Sequence, residues 1–445
     1  MGRTKNRSKA KSASARTRVE KGQDGASEPA VEVAHRENES SLAAKLPVKV
    51  LERIINILCP STFGFEDCKG ALEDCRIKHD ALSFALVCTS WRDVGLARFW
   101  QRVSVPSRGP IQASILAARS RQGLVRELTV TSTAAPRQAT LSRIQVDTAS
   151  ACVGQDLQAL LISGAKAFEL VLPALSAGRF SSLVDLRVWM YEADPADVQQ
   201  VYKAFAHLLE LKEFDFLVQY RSPNGTLLRP RMPGPRRRLS RLAVRLHPTS
   251  TSSNCYGRIE LSVLAGLLYV ADLSGLRELR LNYSVSHAVP AQLAPHLRHL
   301  RILRLVVAPV LFPSLPAALT SILADLPNLV ALDVEIAIFL SRDIGTIPPS
   351  DAAALLAALP LSLEVALVEL DFTQPGSAAH LAAFLERRLA SGVLKRWTSV
   401  RGTRPDATLK TTWRRYGGGG EDGEDGGARW ETEDFEESDA SARLV

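Results

Sequence analysis

LSGLRELRL (residues 273–281) and LRHLRILRL (297–305) repeat one phrase, L-x-x-L-x-x-L-x-L. Its last two apolar positions lie two apart, the spacing of a short strand whose alternate side chains share a face. The phrase returns as FSSLVDLRV (180–188), LLELKEFDF (208–216) and LPNLVALDV (326–334). Pieces of it stand at VRELTV (125–130), FELVL (168–172), LSRLAVRL (239–246) and LVELDF (367–372). Between the phrases, ADVQQVYKAFAHLL, PAALTSILADL, SDAAALLAAL and AAHLAAFLERRL carry apolar residues at helical spacing, each ahead of a strand phrase. Residues 105–400 therefore read as repeated strand-plus-helix units of about 24 to 38 residues. One such unit cannot cover its own apolar face, so the units must stack.

That pattern resembles a leucine-rich-repeat solenoid, in an irregular form: only Asn282 and Asp371 come near the Asn/Cys position of regular repeats, and the longer intervals must hold insertions. Stacked strands would line a surface with the residues between the inward leucines, among them Asp185, Arg187, Glu213, Asp215, Arg277, Arg280, Arg301, Arg304 and Asp333. These charges read either as solvated strand faces or as a partner surface. On the second reading Arg187, Arg280, Arg301 and Arg304 are the substrate-binding candidates, and an arginine-rich middle suits an acidic or phosphorylated protein. RPRMPGPRRRLSR (229–241) is a basic loop between repeats. It lacks a neighbouring aromatic platform for bases, so nucleic-acid binding is not expected.

The ends of the chain differ in sign. Residues 1–43, beginning MGRTKNRSKAKSASARTR, are basic and nearly free of large apolar side chains, and read as a disordered arm. Residues 401–445 run through GGGGEDGEDGG into acidic sequence and read as a flexible tail. No apolar run reaches the roughly eighteen residues that cross a bilayer, so no membrane partner is expected. Six cysteines without a leading hydrophobic segment point to a reducing compartment, nucleus and/or cytoplasm.

Before the repeats lies a short helical region. LPVKVLERIINIL (46–58) sets Pro47 at a first turn and Val50, Leu51, Ile54, Ile55 and Leu58 at helical spacings. DALSFALVCTSWRDVGLARFWQRV supplies two further short helices, the second opening at Thr89 or Ser90 and carrying Trp91 and Trp100. Three short helices cannot hide that much apolar surface among themselves, and an exposed patch of this kind marks a protein interface.

LP at 46–47, Ile54 and Leu58, A-L-V-C-x-x-W at 85–91 and F-W at 99–100 resemble an F-box. The resemblance covers 44–104, with a loop insertion at 59–79. It implies a module that docks on the Skp-type adaptor of an SCF ubiquitin ligase, and through it on cullin, while the solenoid holds a protein substrate. Carried over by position, Leu46, Pro47, Leu51, Ile54, Leu86, Val87 and Trp91 are the adaptor-face candidates, and some of them must also pack the module's core. Lys49 stands where the family often has glutamate; with the insertion, it leaves an interaction scaffold without ligase role as the alternative. The fold class is thus α/β, a three-helix F-box-like module followed by an irregular solenoid.

Inside the insertion, Cys59, Cys68, Cys75 and His79 have a spacing that resembles the CCCH zinc fingers of RNA-binding proteins. The helical reading is preferred, because Leu72, Cys75, His79 and Leu82 fall on one stripe and cysteine behaves there as a small hydrophobe. A zinc-dependent RNA-binding protein is the other alternative. The chain shows no phosphate-cradling glycine loop, no nucleophile elbow and no HExxH, and its eight histidines are scattered. Neither an enzyme nor a cofactor is expected.

Overall fold

A computed structural model describes residues 45–58, 80–105, 124–131, 156–220, 236–246, 263, 266–284, 293, 296–307, 315–336, 346–404, 407–416 and 429–438. They divide into two compact units, the division falling between Phe99 and Trp100.

The smaller unit is helical. The Pro47 carbonyl accepts the N–H groups of Val50 (2.8 Å) and Leu51 (3.1 Å), opening α1 (Val48–Leu58). A proline just ahead of the first turn forfeits no helical bond. A helical segment follows at 80–85, then α2 (Thr89–Gln101). Leu51, Ile55, Ala81 and Phe84 form the core, with Leu46, Ile54, Trp91, Val94 and Phe99 against it. The Phe84 and Trp91 rings stack with centroids 4.4 Å apart. Gly95 permits the close crossing of these helices, since a Cβ there would meet Ala85 Cβ at 2.8 Å.

The larger unit is a mixed α/β structure on a parallel-rich sheet. The sheet begins with β1 (Arg102–Val105), β2 (Glu127–Thr131) and β3 (Ala159–Ser163). After α3 (Ala165–Ser176), β4 (Asp185–Ala193) and α4 (Pro195–Phe205) come β5 (Glu213–Tyr220), β6 (Arg237–Arg238), β7 (Arg241–Leu246), β8 (Ala271–Asp272), β9 (Glu278–Ser284) and β10 (Ile302–Val307). The chain continues through α5 (Leu315–Ala324), β11 (Ala331–Ile336), α6 (Pro349–Ala358), β12 (Val365–Asp371) and α7 (Pro375–Ser391) to β13 (Arg396–Arg404), β14 (Ala407–Tyr416) and β15 (Arg429–Ser438). Thirteen of these strands stand side by side in chain order; β6 and β8 pair separately. Pairing is parallel from β1 to β13 and antiparallel for β14 and β15.

Register explains the leucine phrase. Leu242, Leu279, Leu303, Leu332 and Ala366 lie opposite one another across five strands, as do Val244, Leu281, Leu305, Val334 and Val368 two residues on. Both rows are buried in one continuous core with α3 residues Phe168 and Val171 and α4 residues Val201 and Phe205. Each leucine or valine of these rows contributes roughly 1.5–3 kcal/mol when fully buried. The helices supply the second apolar layer that a parallel strand row needs on its leucine face.

Two expected boundaries are corrected. Residues 102–104, assigned to the helical module, lie in β1 and pair with β2, Val103 standing opposite Leu128 of the buried sheet face. The stretch from 401, expected to be a tail, completes β13 and adds β14 and β15 over ten paired positions. Trp413 and Trp430 pack on the main core there, and Trp430 Nε1 donates to the Leu385 carbonyl at 3.0 Å. Residues 1–43 and the cysteine–histidine segment with Cys59, Cys68, Cys75 and His79 lie outside the described residues.

Candidate binding surfaces

On the helical unit, burial separates the residues of one helix by role. Leu51 is 0% exposed at the centre of the core, which removes it from the adaptor-face candidates: a side chain that holds its own module together cannot also be presented to a partner. Leu46, Ile54, Val87 and Trp91 are half-buried and Pro47 is exposed. Leu86 is 71% exposed. Around them stand aliphatics absent from the candidate set: Val48 at 58%, Ile57 at 80%, Leu58 at 52%, with Val50 and Leu82 near 40%. Helical spacing placed Val50 and Leu58 on one apolar face with Leu51 and Ile55, because an apolar helix face looks the same in sequence whether its own chain or another covers it.

On the sheet, the face opposite the leucines carries charge. In register across the strands run Asp185, Glu213, Arg241 and Glu278, and beside them Arg187, Asp215, Ala243, Arg280, Arg304 and Asp333. Neighbouring parallel strands are about 4.8 Å apart, so opposite charges at one register position meet. Arg241 reaches Glu213 at 2.8 Å and Glu278 at 3.0 Å. Arg245 grips Asp215 at 2.7 Å and lies over the Trp189 ring at 5.9 Å. Lys410 pairs with Glu369, both nearly fully buried.

Arg187 is corrected as a substrate-binding candidate. It is buried and bonds Asp185 through Nη2 at 2.9 Å, because two strand residues of one face sit close enough to pair without a partner. Arg280 and Arg304 are half-buried and Arg301 is exposed. Arg241 and Arg245, absent from the candidates, carry most of the pairing; their alternation in RLAVRL was the available signal, but it acquires meaning only beside Glu213 and Asp215.

Burial pushes the carboxyls of Asp185, Asp215 and Asp333 above their ordinary range, opposed chiefly by Arg187, Arg245 and Arg304 respectively. Glu335 is raised to about 7, first by burial and then by Asp333 and Glu369, with Arg280 and Lys410 opposing. The β4–β9 part of this face is thus largely neutralised by its own ion pairs, while β11 keeps two adjacent carboxyls with Asp333 Oδ1 buried and without a hydrogen-bond partner among the described residues.

No group of three or more His, Cys, Asp or Glu among the described residues is placed to hold a metal ion. No helix among them is long and apolar enough to cross a membrane. No family model matches the chain, and no curated protein matches it either.

Proposed function

We propose that the protein is a substrate-recognition subunit of an SCF-type ubiquitin ligase, with the helical unit docking on the Skp-type adaptor and the strand–helix unit, an irregular leucine-rich-type solenoid, holding a protein substrate. On this reading it carries out no catalysis of its own; other subunits transfer ubiquitin. The observation that supports it is the exposed aliphatic set of Val48, Val50, Ile57, Leu58, Leu82 and Leu86 on a unit whose buried apolar side chains, among the described residues, are Leu51, Ile55, Ala81, Phe84, Ala85 and Cys88. Six exposed aliphatics on so small a unit are the kind of surface that a protein partner covers. The motif L-P, V-C-x-x-W and F-W runs through the same helices.

The test is co-purification of the full chain with a Skp-type adaptor. Leu86→Asp with Ile57→Asp places two charges on exposed positions, where substitutions shift stability by only about 0.5 kcal/mol, so capture should fall with the fold intact. A wild-type chain that never captures the adaptor removes the ligase role and leaves an interaction scaffold.

A further inference from the structure

The main sheet has a rim where the chain enters its parallel strands, and that rim is a continuous ladder. From β2 to β13 the residue just before each strand donates its N–H to the carbonyl of its counterpart before the preceding strand, as Ser240 does to Lys212, Arg277 to Ser240 and Arg301 to Arg277, all at 2.8 Å. Successive rungs therefore stand one strand spacing apart, about 4.8 Å. Cations toward the two ends of the rim are engaged: Arg126 meets Asp156 at 3.4 Å, and Lys395 meets Glu364 at 2.7 Å. Those in the middle are not. Lys212 before β5, Arg277 before β9 and Arg301 before β10 are exposed, and none of the three side chains has a hydrogen bond or ion pair among the described residues.

Like charges on neighbouring rungs destabilise a strand pair, so Arg277 beside Arg301 is a local cost that no described carboxylate offsets. An anionic partner offsets it. The three cations are spread over about 14 Å rather than converged on one point, which suits a row of single charges and not one phosphate group, whose oxygens take convergent donors. An extended chain rises about 3.3 Å per residue, so roughly five residues of acidic peptide span the row. The turns that carry the cations, LLELKE (208–213), LSGLRE (273–278) and LRHLRI (297–302), hold no Phe, Tyr or Trp on which a base could stack, which disfavours nucleic acid. We propose that the rim from Lys212 to Arg301 docks an extended segment of a protein partner rich in aspartate and glutamate. This rests on the reading of the sheet unit as the substrate-holding part, and it names the substrate class: a protein with an exposed acidic run.

The experiment is fluorescence anisotropy of a labelled hexapeptide of alternating glutamate and aspartate, titrated with the full chain. The chain should bind it and leave the glutamine–asparagine counterpart unbound. K212Q/R277Q/R301Q should weaken binding by about ten-fold or more, whereas R179Q/K203Q/R387Q, which removes the same charge from exposed positions elsewhere on the sheet unit, should change it by less than about two-fold. All these positions are exposed, so both variants should keep the wild-type melting temperature. K212E/R277E/R301E should reverse the choice and take a lysine hexapeptide instead. Equal loss in the two glutamine variants, tighter binding of a single-stranded oligonucleotide of the same charge, or no peptide binding by the wild type overturns the proposal. Adaptor capture is read separately: a chain that binds the peptide at this rim but never captures the adaptor supports the acidic docking and fails the ligase reading alone.

Discussion

The two units solve the same problem in opposite ways. The sheet unit covers its leucine rows with its own helices: among its described residues, the large apolar side chains that stay exposed are scattered single ones, Leu209, Tyr269, Leu361 and Val393. The helical unit, a small fraction of the length, leaves six such side chains bare between Val48 and Leu86. A stack of strand–helix units grows its core with each addition, whereas three short helices have too much surface for their volume. What the difference teaches is that apolar content alone does not locate an interface; the ratio of apolar surface to available cover does.

The sharpest way to break this comparison is to attack the self-sufficient core. Phe214→Ala removes a fully buried ring packed on Phe205 (4.7 Å) and Phe216 (5.5 Å). It should cost about 3–5 kcal/mol in chemical denaturation of the sheet unit. The charged face should respond almost as strongly. Arg245→Ala strands the buried Asp215 carboxylate, so a loss of about 3–5 kcal/mol is expected, and the double variant with Asp215→Ala should recover part of it in a double-mutant cycle.

A smaller effect follows from Glu335. Its folded pKa of about 7 exceeds its ordinary value of 4.5, so between those values the folded state holds more of the proton than the unfolded chain does. Stability from this group is therefore present below about pH 4.5 and is lost as pH rises through about 7. Glu335→Gln should flatten that fall and raise the melting temperature at pH 8; an unchanged pH profile would show the proton to be held elsewhere. The least effect on stability should come from Leu86→Ser, within about 0.5 kcal/mol by thermal melt. Its loss of adaptor capture would set the contrast between the units most clearly, because the same apolar deletion in the sheet core would unfold the protein without touching a partner.

Much of the strand order was readable from sequence. The phrase at 273–281 and 297–305 became β9 and β10 with leucine on leucine, and a fragment with a weaker pattern, LSRLAVRL at 239–246, still fell into register as β7. The candidate surfaces were readable only in part. Arg187 looked like Arg280 and Arg304, yet it is consumed by Asp185 two residues away on its own strand. Leu51 looked like Leu86, yet one is fully enclosed and the other is open. Spacing reports which side chains share a face, and says nothing of what lies opposite that face.

By itself, the sequence determined the alternation: leucine on one side of each strand, charge on the other, helices between. That information is local, because side-chain periods of two and 3.6 residues follow from backbone geometry alone. Tertiary structure decided the rest. Which charges cancel depends on register between strands about thirty residues apart, and which helix residues stay bare depends on how few neighbours surround them. The acidic stretch 429–438 belongs to the same class: glycine and acid spelled a tail, but pairing along β14, the Arg414–Glu433 bridge and the Trp430 anchor are long-range contacts whose energy no local composition records.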